Sequence, residues 1–284
     1  MDIEKIIGDV ETLKPVSHIG QKAMELISNP EASLDDIVTV IQYDQGMTAN
    51  LLKTCNSTYF GLQKEITSIK QAVAFLGIEK VTSLIMMGSY SGNFKEDHSG
   101  YGLGEGELWR YSVASALIAQ SLAEKKNLEN ISSLFTSALL KDIGKVILSA
   151  YMEDAYEEIK AKVDNDGYTF IEAEKEIFGI DHAELGANVA EKWKFSTDMV
   201  DIIRNHHNPE RSTNSSLHLP IIYLADSICM MIGIGVGADG LAYRYQQEIV
   251  DKLKFTEMDI QKTIAEFWDN LKTIEELVHL SGGN

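Results

Sequence analysis

Leu139-Leu140-Lys141-Asp142-Ile143-Gly144-Lys145 lies mid-chain, at the end of an apolar run with helical spacing. A His directly before Asp142 would make a His-Asp pair. Such a pair can hold a divalent metal through a neutral imidazole and a carboxylate, and the metal can then activate water. Lys141 stands there instead. A protonated Lys offers three donors and no lone pair, so it ligates nothing. The reading of the chain turns on that residue.

Outward from this stretch the pattern is helical. Apolar residues recur at three and four, little alternates, and four prolines are few for 284 residues. The length suits one large domain or two modest ones. A 44% hydrophobic and 24% charged composition fits an ordinary soluble globular protein. The net charge of −18 repels phosphate backbones and anionic bilayers, so neither nucleic acid nor a membrane is an expected partner. Met1-Asp2-Ile3-Glu4-Lys5 has neither the basic nor the apolar region of a leader, and a cytoplasmic location is expected. Cys55 and Cys229 lie in apolar helical surroundings and suggest no disulfide framework.

The first third reads as short helices joined by tight turns. One carries Ile19, Ala23, Leu26 and Ile27, and the next carries Leu34, Ile37, Val38 and Ile41 behind a Ser33–Asp36 capping box. Tyr43 to Ser57 follows, with Asp44 and Asn56 expected to pin helix ends and Tyr59-Phe60-Gly61 as an aromatic turn. Ser68 to Gln71 is a second capping box, Gly77 a helix stop, and Glu79 to Tyr90 another helix. The run from Asp44 through Asn56-Ser57, then Ile66-Thr67-Ser68-Ile69 and Gln71-Ala72 to Leu76-Gly77, resembles the first half of the HDOD domain. That family is a bacterial signalling-output module related to HD-type phosphohydrolases. Lys14-Pro15 stands where the family begins with Leu-Pro-x-x-Pro, and one of the two prolines is missing here. The resemblance implies an all-α fold, an HD-type multi-helix bundle with an N-terminal helical subdomain.

Residues 91 to 106 are polar and glycine-rich, the clearest break in the chain, and His98 within them is expected to be solvated. The expected organisation is an N-terminal helical subdomain over 1–92, a linker over 93–106, an HD-like bundle over 107–240 and a helical extension over 241–284. In the bundle, Glu107 to Lys125 and Ser133 to Leu148 read as helices, the second carrying Lys141-Asp142. An acidic stretch follows through Glu158, then a Thr169–Glu172 capping box, a helix ending near Trp193, and one beginning at Pro220. From Tyr243 the chain reads as helical again. A Thr256–Asp259 cap opens a helix with Ile260, Ile264, Phe267, Trp268 and Leu271, continuing to Ile274 and Leu277. This helix either docks on the bundle or presents Phe267 and Trp268 to a partner or a second copy.

HD-type phosphohydrolases use a His, a His-Asp pair and a later Asp on separate helices, and their HD-GYP branch adds further His ligands. The resemblance places Tyr111 at the first His and Lys141 at the His of the pair. Asp142, His182, His206, His207 and Asp226 match in order, while Asn208-Pro209-Glu210 replaces the Gly-Tyr-Pro motif. Tyr111, Lys141, Asp142 and Asp226 are therefore expected to line a degenerate pocket, with Lys141 as internal counter-ion to Asp142 and Asp226. No cofactor is expected beyond, at most, one divalent transition metal on Asp142, His182, His206 and His207. Catalytic residues are not assigned. The expected function is a non-catalytic signalling or regulatory module working through protein contacts or a small ligand, in one copy or several. The alternative is a metal-dependent phosphohydrolase with a reduced site.

Other constellations carry less. Ser112 and Ser137 have no His and acid partners for a Ser hydrolase. Gly233-Ile234-Gly235-Val236-Gly237 lacks the Lys-Ser/Thr of a phosphate loop, and His18, His218 and His279 read as peripheral.

Overall fold

Among the described residues of the computed structural model the spacing by three and four is realised as helix. In chain order the helices are α1 Ile3–Gly8, α2 Leu34–Gln42, α3 Gln45–Cys55, α4 Ile69–Leu76, α5 Ile78–Phe94, α6 Glu107–Lys125, α7 Ile131–Leu140, α8 Ile143–Asp166, α9 Phe170–Phe178, α10 His182–Lys192, α11 Thr197–Asn205, α12 His218–Met231, α13 Gln247–Leu253 and α14 Glu257–Asp269. Single 3₁₀ turns occur at Ser99–Tyr101 and Pro209–Arg211. The structure describes residues 3–8, 22, 26, 33–42, 45–57, 60, 66–94, 96–193, 195–213, 216–235, 237, 246–269 and 275. Most of the helix expected around Ile19, Ala23 and Ile27 lies outside them, as do Asp44, Tyr59, Gly61, Tyr243, Leu271, Ile274 and Leu277. So do His18 and His279.

Local chemistry sets the ends. Thr169 accepts from the Glu172 N–H, and Glu172 accepts from the Thr169 N–H at 2.8 Å, closing a capping box at α9. Ser33 with Asp36 and Thr256 with Asp259 close the same reciprocal pair. At α4, Ser68 accepts from the Gln71 N–H, but the Gln71 side chain reaches back to Thr67 instead. Asn56 follows α3 and clamps Ile66 through both amide groups, at 2.8 and 2.7 Å. That ties the C-terminal end of α3 to the residues just before α4.

Two further sequence expectations need correction. The run from Ser133 to Leu148 is not one helix: α7 stops at Leu140, and α8 starts at Ile143. Lys141 and Asp142 form the corner, with Asp142 at φ −97°, ψ 14°. The apolar pattern runs on through the break because both sides face the core. α8 runs on through the acidic stretch after Ala150 to Asp166, with those charges on the outer face. His98 is not solvated: it is 2% exposed, and its N–H donates to the Leu103 carbonyl at 2.9 Å.

The core is built around α6 and α7, which pack together and carry Leu108, Trp109, Val113, Phe135 and Leu139 in full burial. α12 lies against α6, α11 against α7 and α10, and α8 against α10. The α8–α10 approach requires glycine. A Cβ on Gly144 would run into the His182 carbonyl oxygen, and Gly186 faces Gly144 from the other helix. The earlier helices join through α5, which packs on α3, α4 and α7. α14 docks on α6: Phe267 and Thr263 are buried, and Lys125 on α6 donates to Thr263 and Glu266 at 2.8 Å. Trp268 remains 45% exposed. No helix among the described residues is long and apolar enough to cross a membrane.

Candidate functional site

The α7–α8 corner delivers Lys141 and Asp142 to a polar cluster inside the bundle. α6 supplies Tyr111, α12 supplies Asp226, the start of α10 supplies His182, and the residues after α11 supply His206 and His207. All seven sequence-predicted site residues meet there. Lys141, Asp142 and Asp226 are at most 1% exposed, and His207 alone among the seven is partly open.

The cluster has two halves that share Asp142. In the first, the Lys141 ammonium donates to Asp142 Oδ2 and lies 2.6 Å from Asp226 Oδ1. The Tyr111 hydroxyl donates to that same Asp226 oxygen, and its ring lies beneath the ammonium, 4.3 Å from Nζ to centroid. Lys145, one turn along α8, brings a second ammonium within 2.9 Å of Asp142 Oδ1, an ion pair without hydrogen-bond alignment. Gly235 closes this half: a Cβ there would run into Tyr111.

The second half holds the imidazoles. His182 Nε2 is 3.6 Å and His206 Nε2 3.8 Å from Asp142 Oδ1, and His182 Nε2 meets His207 Nε2 at 3.0 Å. His206 Nδ1–H donates to the Ile203 carbonyl at 2.7 Å, which leaves the Nε2 lone pair aimed inward with no hydrogen-bond partner. His182 is held from behind by Glu174, which accepts from its Nδ1 at 2.7 Å and its backbone N–H at 3.0 Å. Tyr101 donates to the other Glu174 oxygen at 2.6 Å.

Burial and neighbours set the charges. Burial raises the Asp142 pKa, but Lys141 and Lys145, then His206 and His182, outweigh it and hold the carboxyl well below its usual range. Burial likewise opposes charge on Lys141, yet Asp142 and Asp226 raise its pKa, so it stays an ammonium. Burial lowers His206 to about 3 and, with His206 and His182 adding to it, pushes His207 well down. His182 goes the other way, because Glu174 outweighs its desolvation. Tyr111 is raised well above 10 by burial and then by Asp226 and Asp142, so it remains a neutral donor.

The donor atoms of Asp142, His182, His206 and His207 all lie within 4.8 Å of one another. Three imidazoles and one carboxylate fit a single zinc-, iron- or nickel-like ion, and the orphaned His206 Nε2 is a ligand atom in waiting. A second, bridged ion does not fit, because Lys141 Nζ occupies the space between Asp142 and Asp226. Lys145, Glu174 and Tyr101 were not foreseen. Lys145 had a local signal, three residues after Asp142 on the same helix, whereas nothing in the sequence joins Tyr101 to Glu174.

A multi-helix bundle of HD-domain type with a buried cluster of lysine, aspartate and histidine side chains is thus the class that fold and site define. The HDOD domain family model matches residues 13–209, and the chain belongs to that family. It is similar to an HDOD domain protein of unknown function from Geobacter sulfurreducens, with TM-score 0.73 and 22% identity over 98% of each chain. It is also similar to a protein provisionally named for signal transduction from Marinobacter aquaeolei VT8. There the TM-score is 0.76 at 19% identity, over 96% of this chain and 60% of that one. A protein provisionally named a metal-dependent phosphohydrolase, from Shewanella amazonensis SB2B, matches with TM-score 0.60 and 17% identity over 98% and 97% of the chains. At these identities the likeness is one of fold. An uncharacterised protein of Treponema pallidum (strain Nichols) is 27% identical over 221 residues, 70% of this chain. The chain spans 39% of that relative's length.

Proposed function

We propose that the chain is a regulatory module of signal transduction that works by presenting its helical surfaces to a protein partner, and that its HD-like core is a structural centre. One observation carries this reading. The Lys141 ammonium touches both Asp142 and Asp226, the two carboxylates that the resemblance assigns to metal binding. A fixed monovalent cation there compensates both charges and opposes an arriving divalent one. The near-complete burial of these residues also favours protein contacts over a small ligand in the core, since a ligand would have to break paired charges to enter.

A second reading rests on the orphaned His206 Nε2. Asp142, His182, His206 and His207 would hold a single ion, which when bound would supply an activated water for attack on a phosphoester. In that reading His206 and His182 present Nε2, each held from behind at Nδ1, and Tyr111 and Lys141 hold Asp226 away from the ion.

Elemental analysis of the untagged protein, purified without chelator, separates the two. The regulatory reading expects no stoichiometric metal and no turnover of cyclic dinucleotides or other phosphodiesters with added divalent ions. A stoichiometric transition metal lost in His206→Ala, with phosphoester turnover lost in His207→Ala, would overturn it.

A further inference from the structure

The segment between α5 and α6 is polar and rich in glycine, yet it is tied to the middle of the bundle. Tyr101, in its 3₁₀ turn, is fully buried between the bundle helices, with its ring 5.8 Å from Phe170 and edge-on to His182 at 6.3 Å. Its hydroxyl donates to Glu174, a carboxylate with no solvent exposure. Glu174 accepts three hydrogen bonds: one from Tyr101 and two from His182, through Nδ1 and the backbone N–H. In either protonation state of His182 the Nδ1–H goes to Glu174, so Nε2 is the atom facing His207 and Asp142.

The turn itself is ordered by backbone bonds from His98 to Leu103, from Leu103 to His98, from Tyr101 to His98 and from Gly102 to Ser99. Ser99 adds a side-chain bond to Glu153 on α8 at 2.7 Å. The turn is thus anchored on α8 by Ser99 and on the histidine cluster by Tyr101. Of these two anchors, only the second passes through a group that the cluster itself needs.

We propose that Tyr101 and Glu174 are positioning residues that fix the orientation of His182, so that the segment joining α5 to α6 and the histidine cluster are ordered as one unit. This holds whether or not an ion binds, and it does not depend on the regulatory reading. Tyr101→Phe removes one hydroxyl and keeps the ring packing. Glu174→Gln keeps the shape and removes the charge that holds His182.

The test pairs two readouts on the full chain. Nitrogen-15 NMR of the imidazoles reports which His182 nitrogen carries the proton, and amide hydrogen exchange reports protection at His98, Tyr101, Gly102 and Leu103. In Glu174→Gln the His182 nitrogens are expected to move from one defined tautomer towards the average of two. The four amides are expected to exchange about tenfold faster, the effect of losing one buried hydrogen bond. Tyr101→Phe is expected to speed the same amides about tenfold and to shift the His182 nitrogens in the same direction, by less. An unchanged His182 signature in both variants would overturn the proposal. So would a rise in exchange spread evenly over α6 and α7, which marks global loosening. If Glu174→Gln does not fold, Tyr101→Phe decides alone: faster turn amides with shifted His182 nitrogens support the coupling, and either one unmoved overturns it.

Discussion

The two halves of the polar core share one carboxylate and solve the problem of burying it in opposite ways. On the lysine side, Lys141 and Lys145 bring fixed charges against Asp142, and Tyr111 and Lys141 close off Asp226 Oδ1. On the histidine side, imidazole rings face the same carboxylate at 3.6 and 3.8 Å without closing on it, and His206 Nε2 keeps a lone pair with no partner. The lysine half is an ion-pair network in which Asp226 Oδ2 alone of that carboxylate's oxygens is left without a hydrogen-bond partner. The histidine half is a cluster of imidazoles held in shape by groups behind it. The difference teaches that an HD-like bundle can bury a shared carboxylate by pairing one side of it with the chain's own cations while imidazoles line the other.

The largest expected effect is on the lysine side. Lys141→Ala leaves Asp142 and Asp226 buried with much of their compensation gone, and removing one partner of a buried pair costs about 3–5 kcal/mol. Urea unfolding should show that loss, with His206→Ala costing clearly less. Equal losses would mean that the two halves are not energetically distinct.

Next is the pH response of the histidine side. His206 is held at about 3 and is therefore largely neutral at pH 5 in the folded state, and His207 is shifted down in the same direction, while the unfolded chain protonates both. Their contribution is therefore present above pH 6.5 and lost as pH falls. Each fully shielded group gives about 1.4 kcal/mol per pH unit. His207 is partly open and contributes less, so the slope between pH 6 and 5 should correspond to between one and two protons. His182 is raised instead; its contribution is complete below 6.5 and fades as pH rises through its folded value, so it adds no slope in that window. Denaturation midpoints across this range, compared with His206→Gln, should show the slope falling by about one proton. A slope unchanged in the variant would place the titrating group elsewhere.

A smaller effect tests what brings the halves together. Gly144→Ala puts a methyl into the His182 carbonyl, so α8 and α10 must separate, at a cost of about 1–3 kcal/mol for overpacking. His182 should withdraw from Asp142 while the lysine contacts, all made by α6, α8, α12 and the corner before α8, persist. Thermal unfolding gives the cost, and the imidazole NMR signals show whether only the histidine half has moved.

Much of this arrangement was legible in the sequence because helix signals are local. The Ser33, Thr169 and Thr256 boxes and the apolar spacing of Glu107 to Lys125 need no tertiary information, and the resemblance to HD-type phosphohydrolases singled out Asp142, His182, His206, His207 and Asp226. The corner at Lys141-Asp142 was hidden because a buried turn between two core helices is as apolar on both sides as a continuous helix. Glu174 was hidden because an acid in a helix ordinarily faces solvent, and only the fold brings it to His182 and to Tyr101, 73 residues away. His98 was misjudged for the same reason: a glycine-rich segment reads as exposed unless something distant covers it.

The smallest effect separates charge from hydrogen bonding within the lysine half. Tyr111→Phe removes a donor from Asp226 but leaves the Lys141 ammonium 2.6 Å from that oxygen. The ring also keeps its place beneath the ammonium and against Gly235. Because the carboxylate keeps a charged partner, the cost should be that of one hydrogen bond, about 1–1.5 kcal/mol, and not that of an orphaned charge. Denaturant unfolding of the single variants and of the Tyr111→Phe, Lys141→Ala double variant completes a cycle. If the ammonium is what holds Asp226, losing the hydroxyl should cost more when Lys141 is already gone. A strictly additive cycle would mean that the two groups act on Asp226 independently, and that Lys141 is not what holds it.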